Sequence, residues 1–126
     1  MSLEMYLIKR GKYTSTDRQY EVAYWRKANQ IRGWFSKNLE GFVDRGETLV
    51  PKDKLEELLE VCKTVSAGRS RSISEEILPT SVGLFFGPGT YDRWYYQAVD
   101  YTIKKIEEIL ETTDFDRCNI VYWEMY

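Results

Sequence analysis

The sequence predicts an α+β fold: three main helices packed with a small β-sheet formed by terminal strands, in one domain spanning residues 1–126. Three observations carry that expectation. Two stretches, Pro51–Ser66 and Tyr91–Thr112, repeat apolar residues every three or four positions, as an amphipathic helix requires. A third, Asp17–Leu39, does so with aromatic residues. Short apolar runs rich in β-branched and aromatic residues stand near both ends, Met5–Ile8 and Ile120–Tyr126. With 126 residues, 43% hydrophobic and 30% charged, the chain has the size and composition of one globular domain with a single core.

Met5–Ile8 reads as a strand, and Lys9–Thr14, polar and containing Gly11, as a loop. Thr16 with Gln19 three residues on has the capping-box pattern and predicts the start of the first helix. Tyr20, Tyr24, Ala28, Ile31 and Phe35 then fall on one helical face, flanked by Trp25 and Trp34. Gly33 predicts a bend or a close packing contact inside that helix, and Gly41 its stop. Residues Gly41–Val50 read as a loop. Pro51 suits a first helical position, and Leu55, Leu58, Leu59, Cys62 and Val65 give the second helix its buried stripe. Ser66–Ser74 reads as a Gly/Ser/Arg loop, with one helical turn at Glu75–Leu78 before Pro79. Val82–Phe86 reads as a short buried strand, ended by Gly87-Pro88-Gly89. The third helix starts at Thr90 or Tyr91 and buries Tyr95, Ala98, Val99, Thr102, Ile106, Ile109 and Leu110, with Lys104 and Glu108 paired one turn apart. A strand at the C-terminus leaves an edge that must be covered or paired, which allows a homodimer through it.

Composition excludes several chemistries. There is no histidine, which removes the commonest general base and the usual partner of a nucleophilic Ser or Cys. Cys62 and Cys118 form no CxxC pair, so a structural zinc site lacks soft ligands, and no metal or cofactor is expected. Lysine plus arginine number 18 against 20 acidic residues, which argues against nucleic acid as a partner. No apolar run approaches the roughly 20 residues of a membrane span. The first ten residues lack the pattern of a secretory leader, and the expected setting is a reducing cytoplasm.

The segment Gly83–Asp92 passes from an apolar run through glycines into a helix, where backbone N–H groups can hold a phosphate or carboxylate. Pro88 removes one donor there, Asp92 adds a negative charge, and no GxxxxGK[ST] or GxGxxG pattern is present, so a tight connection is the simpler account. The aromatic clusters Tyr24-Trp25, Trp34-Phe35, Phe85-Phe86, Trp94-Tyr95-Tyr96 and Tyr122-Trp123 cannot all point inward. Those left at the surface would favour recognition of a partner. Glu21 stands out among the acidic residues because its surroundings are aromatic. The expected binding residues are Tyr24, Trp25, Asn29 and Arg32 on the first helix, with Phe86, Tyr91, Arg93 and Trp94 around the glycine turn.

The run Glu21-Val-Ala-Tyr-Trp-Arg-Lys-Ala-Asn-Gln-Ile31, with Leu78-Pro-Thr80, Gly83-Leu-Phe-Phe-Gly87 and Tyr91-Asp92 downstream, resembles a group of small, uncharacterised bacteriophage and prophage proteins. Members of that group often carry His where this chain has Arg32, so a role resting on an imidazole does not transfer. The resemblance implies a phage accessory protein in a bacterial cytoplasm, acting by binding a host or phage protein or a small ligand rather than by catalysis. The alternatives are a nucleotide or small-molecule binder, or small enzyme, using the Gly87–Asp92 turn, and a virion or assembly component.

Overall fold

The computed structural model describes residues 2–13 and 19–126. In chain order the elements are β1 (Glu4–Gly11), β2 (Gln19–Arg26), α1 (Asn29–Asn38), β3 (Glu47–Val50), α2 (Lys52–Gly68), α3 (Arg71–Ile77), α4 (Arg93–Thr112) and β4 (Cys118–Met125). The four strands form one antiparallel sheet in the order β2-β1-β4-β3. The α+β class expected from sequence is the fold observed.

Strand alternation sets which face is buried. Met5 and Leu7 on β1, Ala23 and Trp25 on β2, Thr48 and Val50 on β3, and Ile120, Tyr122 and Glu124 on β4 are buried. They share the core with Ile31 and Phe35 of α1, Leu55, Leu58 and Cys62 of α2, and Val99 and Ile106 of α4. The residues between them on the strands, Tyr6, Ile8, Tyr24, Leu49 and Trp123, point to the other side and retain exposure. Helices therefore cover one face of the sheet and leave the opposite face open.

Several elements differ from the sequence expectation. Residues Gln19–Arg26 are a strand, so the predicted helix Asp17–Leu39 is reduced to Asn29–Asn38. Tyr24 and Trp25 thus lie on β2 rather than on a helix. The spacing of Tyr20, Tyr24 and Ala28 matched a helix by coincidence, while pairing of Leu7 with Ala23 and Met5 with Trp25 imposes extension. The Thr16 cap lies outside the described residues. Strand β1 runs on through Lys9, Arg10 and Gly11, which were expected in a loop. The supposed loop Gly41–Val50 ends in β3, whose Thr48 and Val50 face inward. The supposed loop Ser66–Ser74 contains the end of α2 and the start of α3, where the Ser70 side chain accepts from the Ile73 N–H. Pro51 sits at the N-cap, one residue before α2. Lys105, not Lys104, reaches Glu108, at 3.5 Å. Finally, the C-terminal strand is no edge: β4 lies between β1 and β3, so the edge argued for a homodimer is already paired on both sides.

Among the described residues no helix is long and apolar enough to cross a membrane. Cys62 is wholly enclosed on the inner stripe of α2, and burial pushes its thiol up to about 12. Cys118, at the start of β4, is only half-buried. At pH 8 an aromatic disulfide reagent is expected to titrate one thiol in the native protein and both after unfolding. A fast native reaction of both would mean that the α2–α4 core opens readily.

Candidate functional site

The site is built on the loop between α3 and α4, residues 79–92, and its anchor is Asn29 at the start of α1. The Asn29 side-chain amide donates to the carbonyl oxygens of Phe86 at 3.0 Å and Pro88 at 3.1 Å, and its oxygen accepts from the Ser81 N–H at 3.0 Å. Three points of the loop are therefore held by one buried side chain. The Leu3 N–H adds a bond to the Phe85 carbonyl at 2.9 Å, and the Leu3 carbonyl takes the Lys27 N–H at 2.8 Å, so β1, the β2–α1 corner and the loop form one junction.

That corner is tight. Lys27 adopts a left-handed backbone, φ 57°, unusual for a side chain with a Cβ. Gly87, at φ 86°, passes so close that an added Cβ would stand 3.2 Å from the Cβ of Lys27. Gly33 is another close approach, with Ser81 lying directly over it, which explains a glycine inside α1. On the far side of the loop, the Thr80 N–H donates to the Tyr91 hydroxyl at 3.2 Å, and the Tyr95 hydroxyl donates to the Leu78 carbonyl at 2.6 Å. The separated stretches Lys27–Asn29, Leu78–Thr80, Gly83–Gly87 and Tyr91–Asp92 thus meet in one place.

So firmly tied, the loop presents apolar side chains outward. Val82 and Leu84 are 85% and 90% exposed, so the expected buried strand Val82–Phe86 is corrected to an exposed loop in which Phe86 alone turns in. Trp94, at the first turn of α4, is 66% exposed, with the Arg93 guanidinium 4.9 Å from its ring centre. Beside them lies a cleft of about 300 Å³ lined by Lys27, Gln30, Thr90, Asp92 and Trp94. The Gln30 amide donates to the Tyr95 carbonyl at 3.1 Å, tying α1 to α4 beneath the cleft.

Asp92 decides the electrostatics here. Its carboxylate accepts from the Thr90 hydroxyl at 2.9 Å and from the Tyr95 N–H at 3.2 Å, and these bonds hold its pKa below the usual carboxylate value. The start of α4 is therefore already capped by a negative charge, which a phosphate would have to displace. Among the described residues no group of three or more Cys, Asp or Glu is arranged to hold a metal.

The residues expected to bind separate into three sets. Tyr91, Arg93 and Trp94 lie at the loop, Trp94 prominently. Tyr24 is on the open sheet face, away from it. Trp25 is core: its indole N–H donates to the Thr102 hydroxyl at 2.9 Å, between β2 and α4. Asn29 and Phe86 are buried and position the loop rather than meet a partner. Arg32 is also inward, its guanidinium bonded to the fully buried Glu124 at 3.0 Å through both Nε and Nη2, and to Asp44 at 2.8 Å. Phe86 lies 4.9 Å from that guanidinium. Sequence reasoning did not single out Val82, Leu84 or Gln30. For the first two the signal was present in the flanking Gly83 and Gly87-Pro88-Gly89, which suit a projecting loop better than a strand.

Removing one partner of a buried pair leaves an uncompensated charge. Arg32→Met is expected to cost about 3–5 kcal/mol in urea denaturation, and adding Glu124→Gln to recover part of the loss. Asn29→Ala leaves three backbone groups, that of Phe86 buried, without their bonds and is expected to cost about 1–3 kcal/mol. Limited proteolysis of that variant should cut within residues 79–92, where wild type resists. Compared with protein-family models, curated proteins and solved structures, the chain has no match, and its function rests on this geometry.

Proposed function

We propose that the protein is a non-enzymatic binding protein that recognises a partner protein through the 79–92 loop and the first turn of α4. The observation that carries this reading is the exposure of Val82, Leu84 and Trp94 on a loop immobilised by Asn29. An exposed apolar group on a mobile loop is ordinary, but a fixed one presents its surface at little further entropic cost. Tryptophan with a neighbouring arginine is the composition of a binding hot spot, and the cleft beside Trp94 offers room for a side chain from the partner.

The lack of histidine, the commonest general base, supports binding over catalysis. A nucleotide is disfavoured at the glycine turn by the Asp92 cap. The resemblance to small phage and prophage proteins supports a host or phage protein as the partner, in a bacterial cytoplasm.

The test compares wild type with a Val82→Ser, Leu84→Ser, Trp94→Ala variant as baits in bacterial lysate. The variant should keep wild-type stability to within about 0.5 kcal/mol for each site, since all three side chains are exposed. A protein retained by wild type and lost by the folded variant is the expected result. Equal retention by both would remove the loop from the binding surface. Native mass spectrometry of gently purified protein checks the cleft in parallel, because a small bound molecule would appear as added mass.

A further inference from the structure

The sheet face opposite the helices has a composition that neither the core nor the loop surface accounts for. Two adjacent cross-strand rows lie on it. The first runs Tyr24, Tyr6, Trp123 and Glu47 across β2, β1, β4 and β3; the second runs Glu21, Ile8, Val121 and Leu49. In the first row Tyr6 stacks on Trp123, ring centres 4.9 Å apart, and meets Tyr24 at 5.2 Å. Between the rows is a shallow depression of about 320 Å³ lined by Tyr6, Ile8, Gln19, Glu21 and Trp123.

The charges around that depression are unequally engaged. Arg10, one row further along β1, gives both its terminal nitrogens to Glu47, at 2.9 and 3.1 Å, and its Nε to Gln19 at 3.0 Å. Glu47 is accordingly held below the usual carboxylate range, its hydrogen bond from Arg10 being the largest cause. The Tyr24 hydroxyl donates to Glu4. Lys105, which borders the outer edge of β2 near Glu21, turns instead to Glu108. Among the described residues Glu21 has neither an ion pair nor a side-chain hydrogen bond. Among the described residues the face therefore offers one uncommitted carboxylate beside two aromatic rings, with Arg10 and Lys105 engaged elsewhere.

We propose that this open face docks a basic segment of a partner protein, with one Arg or Lys side chain lying in the depression against Tyr6 and Trp123 and its charge on Glu21. Aromatic faces attract a cation through their quadrupole, and a guanidinium or ammonium arriving there meets the carboxylate at the end of its reach. Ile8 forms an apolar floor for the methylene stem. Exposed Leu49 extends the apolar surface along the second row for the residues flanking the cation. The same chemistry repels an acidic segment and gives no purchase to a phosphate backbone, so the surface selects by charge. It is separate from the 79–92 loop and does not depend on it.

The test is an NMR titration of the full chain with an acetylated, amidated Arg-Thr-Arg-Thr-Arg peptide, and with the corresponding Glu-Thr-Glu-Thr-Glu peptide. Saturable shifts at Tyr6, Ile8, Glu21 and the Trp123 indole with the basic peptide alone are expected, weakening as salt is added. Glu21→Gln, an exposed and structurally harmless change, should weaken binding about fivefold, and Glu21→Lys should abolish it. Binding to the Val82→Ser, Leu84→Ser, Trp94→Ala variant should equal that to wild type. Absence of saturable shifts at millimolar peptide, or unchanged affinity in both Glu21 variants, would overturn the proposal. Shifts at the same residues on raising protein concentration alone would overturn it too, in favour of a second copy as the occupant.

Discussion

Glu124 is fully buried and charged, and the arrangement around it constrains much of the molecule. Its two oxygens accept from the Nε and Nη2 of Arg32, from the Arg45 N–H at 3.0 Å and from the Tyr122 hydroxyl at 2.7 Å. A carboxylate removed from water is tolerated only when its lone pairs are filled and its charge is matched. Each donor comes from a different place: α1, the turn before β3, and β4 itself. The helix must therefore dock where Arg32 can reach β4, and the chain leaving β2 has only Lys27 and Ala28 in which to turn toward it. The left-handed backbone at Lys27 follows from that shortage of chain. Phe42, Phe86 and Tyr126 close over the guanidinium at 5.2, 4.9 and 5.8 Å, completing the enclosure. Phe86 is in turn one of the three residues at which the 79–92 loop is fastened to Asn29, so the shape of that loop is linked to the buried charge.

What the sequence disclosed and what it concealed divide along the range of the interactions. Helices α2 and α4 are specified by their own periodicity, and Cys62 could be placed on a buried stripe without knowing its neighbours. Residues Gln19–Arg26 carry a helical spacing of aromatics, yet they are a strand because β1 lies alongside, a fact stored elsewhere in the chain. The four-residue β3 is too short for alternation to stand out. Ser70 does have the residue type of a helix cap, and the short helix after it was obscured by the Gly/Ser/Arg composition around it. At the site, Asn29 and Phe86 could be picked out as candidates, but the bonds from Asn29 to Ser81, Phe86 and Pro88 could not. Arg32 looked like a free arginine because Glu124, its counterion, is 92 residues away.

The two surfaces differ in kind. The loop owes its geometry to buried hydrogen bonds and offers apolar groups with a tryptophan, which suits a partner with its own apolar patch. The sheet face is flat, aromatic and acidic, and owes its geometry to strand pairing. Because they lie on separate structural supports, substitution in one leaves the other intact, and each can be assigned its own partner.

The position of β4 has a consequence for how the chain becomes a protein. Residues Cys118–Met125 follow the other three strands in chain order, yet they occupy the middle of the sheet, between β1 and β3. Glu4 pairs with Met125, so the contact closes a loop that runs from the first strand to the fourth. Until that strand pairs, β1 has one bare edge, β3 has no neighbour, and Arg32 lacks Glu124. Assembly of the sheet therefore waits on a contact between residues distant in sequence, and until it forms the chain depends on local helices to keep its unpaired strands from meeting those of other chains.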